Sequence, residues 1–196
     1  GSDDKNGSIS KIGHALHDLD AVFNRFSRTP RLAALAKRLG FQDPLLLQSM
    51  IIVKPPRIGG EVVCHQDSTF LFTEPESCIG FWFALEDATL ENGCLWAIQG
   101  GHLGPLKERF RERDGELVAE TLDPTPWSES KKIPMEAPAG TLIVLHGRLP
   151  HLSEANRSAV SRIAYTLHLI DGTARYAPDN WLRRAPEMPL EGFDDL

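Results

Sequence analysis

The stretch Ile79-Gly80-Phe81-Trp82-Phe83-Ala84-Leu85, then Glu86-Asp87-Ala88-Thr89-Leu90-Glu91-Asn92-Gly93, then Cys94-Leu95-Trp96-Ala97-Ile98 decides the fold. Two short apolar runs rich in aromatic and aliphatic residues flank an Asn-Gly pair, which favours the left-handed backbone of a tight turn. Read locally, this is strand, turn, strand, and it predicts a hairpin over about residues 82–98. Outward from it, similar runs recur at 45–53, 141–145 and 161–170, broken by Gly, Pro and Asn. Lys54-Pro55-Pro56 cannot continue a ladder, because proline lacks the N–H that a ladder needs.

The first forty residues have a different period. Leu16, Leu19, Val22 and Phe23, then Leu32, Leu35, Ala36 and Leu39, recur at helical spacing, and Gly40 stops the second helix. Between His102 and Met135 the chain is charged and irregular, with Pro124 and Pro126 around Trp127, and reads as a helix plus a long loop, the usual form of a lid or insertion. Many short strands with helices gathered at one end predict a mainly β protein with flanking helices, a double-stranded β-helix (jelly roll, cupin-like), rather than an alternating α/β fold. With no repeat or low-complexity block, one domain over 1–196 is expected, its helical part about 1–43 and its jelly-roll body about 44–196.

Composition narrows the partners. The 196 residues are 41% hydrophobic and 24% charged, as in ordinary globular domains, and the net charge of −6 disfavours an extended phosphate-binding surface. No nucleic-acid partner is expected, and the basic cluster at 107–113 reads as a solvated helix face. Cys64, Cys78 and Cys94 are odd in number and lack C-x-x-C spacing, which suits a reducing compartment. No apolar run is long enough to span a bilayer. Gly1-Ser2-Asp3-Asp4-Lys5 has no apolar signal core, its Gly1-Ser2 reads as a cloning scar, and Asp194-Asp195-Leu196 is not a peroxisomal S-K-L address, so a cytoplasmic location is expected. No heptad or long edge strand calls for a dimer, and a monomer is expected.

Chemistry enters at His65-Gln66-Asp67. On an extended segment residues i and i+2 point to one side, so an imidazole and a carboxylate converge. His151, following the apolar run at 141–145 and the Gly147/Pro150 loop, is the candidate third ligand. Two imidazoles and one carboxylate leave coordination positions open, an arrangement suited to iron(II) and dioxygen chemistry. The H-x-D letters alone arise often by chance. Arg162 strengthens the pattern: in Ser161-Arg162-Ile163-Ala164-Tyr165-Thr166-Leu167-His168-Leu169, positions 162, 164, 166 and 168 share one face, which puts a guanidinium inside a barrel. Buried there it needs an anion, and its planar fork matches a carboxylate. A protein carboxylate or an outward orientation is the alternative for Arg162. Met50 reads equally as core, Trp82 as a packing residue and Ser153 as a turn former. His14, His17, His146 and His168 have no ligand spacing and read as structural or solvated.

Together these residues resemble the phytanoyl-CoA dioxygenase family. The resemblance runs from Lys11-Ile12-Gly13-His14-Ala15-Leu16-His17 through Gln48-Ser49-Met50, Gly59-Gly60-Glu61-Val62, His65-Gln66-Asp67, the Glu86 to Trp96 segment and His151 to Asn180-Trp181-Leu182. It implies that His65, Asp67 and His151 bind Fe(II), that Arg162 pairs with the distal carboxylate of 2-oxoglutarate, and that Lys11, Met50, Trp82 and Ser153 also touch this co-substrate. It further implies a dioxygenase that hydroxylates a C–H bond of a small-molecule or lipid-like substrate, with release of succinate and CO2 and with ascorbate as a candidate reductant. Gln99-Gly100-Gly101-His102 departs from the Pro-Gly-Ser-His common in the family, which puts the chemistry of that rim in doubt. Two rival readings stay open: an inactive metal-binding jelly roll acting as sensor or scaffold, and a zinc hydrolase, although no H-E-x-x-H spacing supplies its base. The substrate is not legible, and the segment of about 103–133 is expected to shape its entrance.

Overall fold

The computed structural model describes residues 9–193; the end segments Gly1-Ser2-Asp3-Asp4-Lys5 and Asp194-Asp195-Leu196 read above lie outside them. Along the chain come β1 (Lys11–His14), α1 (Leu16–Leu19), α2 (Ala21–Ser27), α3 (Pro30–Arg38), β2 (Pro44–Lys54), β3 (Val62–His65), β4 (Thr73–Glu74) and β5 (Ile79–Ala84). They are followed by β6 (Leu95–Ile98), β7 (Glu108–Arg113), β8 (Glu116–Thr121), β9 (Lys132–Met135), β10 (Leu142–His146), β11 (His151–Ser153), β12 (Arg162–Asp171) and β13 (Arg175–Tyr176). The main body is a jelly roll of two antiparallel sheets, β1-β2-β12-β5-β10 and β3-β11-β6-β9.

Period-two alternation on the long strands decides what each face does. On β12, Tyr165, Leu167 and Leu169 pack with Phe81 and Phe83 of β5 against Leu32 and Ala36 of α3. The opposite face carries Arg162, Thr166 and His168 into the space between the sheets. Gln48, Met50, Ile52 and Lys54 alternate in the same way on β2. A smaller apolar cluster around Trp82, Ala84, Cys94, Leu95, Leu145 and Ala164 closes one end of the sandwich. The helical layer begins with Asp20, whose side chain accepts from the Val22 and Phe23 N–H groups, and proline at the first position of α3 suits a helix start.

Three local expectations are corrected. Residues 82–98 form no hairpin: β5 pairs with β12 and β10, whereas β6 pairs with β11 and β9 in the other sheet. The Asn-Gly turn is real, with Gly93 at φ +85°, but it belongs to a connection that crosses between sheets. Asn92 braces that crossing by accepting from Thr89 N and donating to Asp87 O.

The helix expected between His102 and Met135 is absent. In its place β7 and β8 form a hairpin through Asp114 (φ 55°) and Gly115 (φ 85°), a two-residue turn with the positive φ values that favour Asp-Gly. The basic cluster at 107–113 is therefore on and beside a strand: Arg109 and Arg111 each contact Asp179 at 3.0 Å. The first forty residues are not uniformly helical either, because Lys11–His14 pairs with β2 as the edge of the five-stranded sheet. Among the described residues no helix is long and apolar enough to cross a membrane.

Candidate metal centre and its two cavities

His65 ends β3, Asp67 opens a single 3-10 turn after it, and His151 starts β11, directly opposite His65 in the ladder. One donor atom from each lies within 4.8 Å of the others. Asp67 Oδ1 is 3.8 Å from His65 Nε2 and 3.7 Å from His151 Nε2. Both rings are held from behind: His65 Nδ1 lies 2.8 Å from the Val63 carbonyl and His151 Nδ1 3.0 Å from the Leu149 carbonyl. Such contacts hold the proton on Nδ1 and leave Nε2 as a free lone pair, the usual way a metal-binding imidazole is oriented.

The electrostatics agree with a cation site. Burial, helped by the neighbouring His151 ring, pushes the His65 imidazole down to about 4 against the pull of Asp67, so it is neutral at pH 7. Burial alone would raise the Asp67 carboxyl, but His168 and His151 outweigh it and hold the group well below its ordinary range. A buried, ionised carboxylate between two preoriented imidazole nitrogens fits a divalent metal such as iron(II).

Two cavities meet at this cluster. The first, about 380 Å³, is lined by every residue singled out in the sequence: Lys11, Met50, His65, Asp67, Trp82, His151, Ser153 and Arg162. Arg162 is 1% exposed; its Nε donates to the Gly93 carbonyl and its Nη1 has no partner among the described residues. Its guanidinium carbon lies 5.7 Å from the centre of the Trp82 ring.

Sequence reasoning missed Lys54 on the same wall. This lysine is 2% exposed, and its Nζ donates to the Gly60 carbonyl and, at 2.7 Å, to the Glu154 carbonyl. Burial, then the Arg162 charge, push its ammonium down to about 8, with Glu61 opposing; burial likewise pushes Arg162 down to about 10. The signal is in the sequence, since residues 50, 52 and 54 share a face on β2, but Pro55-Pro56 directly after Lys54 marks it first as the end of a strand.

The second cavity, about 410 Å³, adjoins the first and shares Met50, Val62, His65, Asp67 and His168 with it. Its wall includes rings in successive contact: His65 with Phe70 at 5.9 Å, Phe70 with Phe110 at 5.8 Å, Phe110 with Trp181 at 6.4 Å and Trp181 with His14 at 5.1 Å. Gln48 contacts His14 Nδ1 at 2.9 Å, and Lys11 stands where the two cavities adjoin. His14 and His168, read as structural or solvated, both line this recess. His17 and His146 do not: His17 is buried on Ser49, and the His146 ring neighbours His102. At the departing segment 99–102, Gly100 has φ +74° and Gly101 packs on Pro150 so closely that a Cβ would fall 2.5 Å from its ring.

Known proteins resemble this chain in sequence and in fold. The chain is 47% identical to "Phytanoyl-CoA dioxygenase" of Arabidopsis thaliana and 50% identical to "Phytanoyl-CoA dioxygenase 1" of Oryza sativa subsp. japonica, each match covering 93% of the chain. It is 44% identical to "Phytanoyl-CoA dioxygenase domain-containing protein 1" of Mus musculus, again over 93% of its length. These matches cover 64%, 66% and 65% of the relatives, so the chain spans a little under two thirds of their length.

Among solved structures, the non-heme alpha ketoglutarate dependent carbocyclase SnoK superposes with a TM-score of 0.69 at 26% identity, covering 93% of this chain and 72% of that one. The epimerase SnoN, solved with Fe3+, alpha ketoglutarate and nogalamycin RO, superposes at 0.68 with 21% identity over 92% and 77% of the two chains, a likeness of fold. The family described as Phytanoyl-CoA dioxygenase (PhyH) matches residues 2–164. The chain belongs to that family.

Proposed function

We propose that this protein is an Fe(II)- and 2-oxoglutarate-dependent dioxygenase that hydroxylates a C–H bond of a small-molecule or lipid-like substrate and releases succinate and CO2. The observation that carries the reading is a pair of buried cations, Arg162 and Lys54, with no carboxylate at ion-pair distance among the described residues, on the wall of the cavity that also holds the His65/Asp67/His151 cluster. A buried charge without a counter-ion is costly, and a bound dicarboxylate supplies the missing negative charge.

In this reading His65 Nε2, Asp67 Oδ1 and His151 Nε2 would hold the iron. The bound metal supplies the redox chemistry that couples decarboxylation of 2-oxoglutarate to oxygen insertion. Arg162 grips the distal carboxylate, and Lys54 completes the charge balance while tying the Gly60 and Glu154 backbones over that end. Trp82 and Met50 wall the co-substrate, with Ser153 and Lys11 as polar contacts. The aromatic recess, which shares His65 and Asp67 with the first cavity but is not lined by Arg162, would take the substrate. Phe110 of the β7–β8 hairpin lies in that wall, which gives the 103–133 segment its part in the entrance. The plant relatives are named for phytanoyl-CoA, and an aromatic wall suits an apolar body such as an acyl chain.

The test is an anaerobic titration of the iron(II)-loaded protein with 2-oxoglutarate, followed by oxygen and a succinate assay. A visible charge-transfer band and slow succinate formation, both lost in His151→Ala, are expected. Stoichiometric iron binding without a band would overturn the co-substrate assignment.

A further inference from the structure

Asp67 presents its two carboxyl oxygens to different partners. Oδ1 faces His65 and His151, whereas Oδ2 faces His168 Nε2 at 3.4 Å. Among the described residues Oδ2 is buried without a well-formed hydrogen bond, and His168, 6% exposed, has a buried Nδ1 with no partner. The 3.4 Å separation is an ion-pair distance, longer than a well-formed hydrogen bond. His168 is not part of the ligand cluster, which among the described residues comprises only His65, Asp67 and His151.

The backbone is also built around this contact. Gly80 of β5 pairs with His168 in the ladder, and a Cβ there would lie 3.1 Å from Asp67 Oδ2 and 3.4 Å from His168 Nε2. The strand therefore approaches both groups so closely that a larger residue would force them to shift.

We propose that His168 is a positioning residue for the metal centre: its Nε2–H donates to Asp67 Oδ2 and so turns Oδ1 toward the metal. This rests on His65, Asp67 and His151 being the ligands, and goes beyond that reading by giving a task to a fourth histidine that touches no metal. A carboxylate is free to rotate about its terminal bond and can bind a metal through one oxygen or both. A donor fixed on Oδ2 would leave Oδ1 as the oxygen free to bind a metal. Apo-site hydrogen bonds of this kind are commonly long and shorten when the ligand arrives.

The experiment uses cobalt(II) as probe, reading its visible bands and its Kd in wild type, His168→Gln, His168→Asn and His151→Ala. The glutamine amide nitrogen reaches the place of imidazole Nε2; that of asparagine reaches only the place of Nδ1. His168→Asn is expected to lose about 10- to 100-fold in affinity and to shift the bands, as when other partners that orient a metal ligand are removed. His168→Gln is expected to keep the wild-type bands and most of the affinity. Melting of the metal-free proteins separates a packing defect, which both polar variants share, from this difference. Equal losses in the two variants, or none in His168→Asn, would overturn the proposal. Wild-type affinity in His151→Ala would overturn the ligand assignment and this proposal with it.

Discussion

Arg162 and Lys54 are directly opposed across the β12–β2 ladder, 1% and 2% exposed, and neither has a carboxylate at ion-pair distance among the described residues. Like charges opposed on one face destabilise a sheet, and burial adds to the penalty. The Asn92-Gly93 turn closes over the pair: the Gly93 carbonyl accepts from Arg162, and a Cβ on Gly93 would lie 2.9 Å from Lys54 Cδ and 2.5 Å from the Glu154 carbonyl. This end of the cavity is thus costly for the protein alone and favourable for an anion.

Replacing Lys54 by methionine separates these two effects. The variant removes the repulsion but also two hydrogen bonds to carbonyls, effects of opposite sign on the apo protein. Thermal melting without ligand reads their balance, while the upward shift caused by 2-oxoglutarate should shrink. A variant that melts lower than wild type yet keeps the full ligand shift would show that Lys54 serves packing alone.

The same lysine sets a pH dependence. Its ammonium has an ordinary value of 10.5 and titrates at about 8 in the folded protein, chiefly through burial and then through Arg162. Between these values the unfolded chain holds more protons than the folded one, so this group's contribution to apo stability rises with pH from about 8 upward. Co-substrate binding runs the other way, since a dianion favours the charged lysine. The Kd for 2-oxoglutarate should weaken as pH rises through about 8, and Lys54→Met should remove that inflection while leaving the remaining profile in place.

What the sequence made legible follows from where information is local. Alternation along residues 161–170 is a property of a single strand, so Arg162 could be assigned to the interior from its neighbours alone. His65 and Asp67 are two apart and converge for the same reason. The partner of a strand is not local: nothing in residues 79–98 distinguishes a turn that folds a strand back on its neighbour from one that carries it to the opposite sheet. Asp114-Gly115 did carry a local turn signal, but the charges around it belong to cross-strand and C-terminal pairs, such as Arg111 with Asp179, and imitated a solvated helix. His168 is on the right face, but its contact is with Asp67, about a hundred residues away in the chain, and no local spacing reveals it.

Gly93→Ala tests the cover over the cations. Alanine must adopt φ near +85°, a strain of about 1–2 kcal/mol, and displace the Glu154 carbonyl or the lysine stem. Lower stability is expected together with weaker 2-oxoglutarate binding, while cobalt(II) binding in the absence of co-substrate stays at the wild-type level. Loss of metal binding as well would mean that the turn supports the whole sandwich rather than one end of the cavity.

The two cavities share Lys11, Met50, Val62, His65, Asp67 and His168, but Arg162 lines only the first and Phe110 only the second, so variants at these two should have separable effects. Arg162→Leu removes a charged donor to the co-substrate, and such hydrogen bonds are worth about 1.5–3 kcal/mol, or roughly 10- to 100-fold in binding. KM for 2-oxoglutarate should rise by that factor, with cobalt(II) affinity unchanged. Phe110→Ala opens the aromatic recess without touching the other cavity, so KM for 2-oxoglutarate should hold while the rate of substrate-free succinate formation changes, because water gains access from the recess side. If Phe110→Ala raised KM as Arg162→Leu does, the recess and the co-substrate cavity would be one binding space, and the substrate would have to approach the metal from elsewhere.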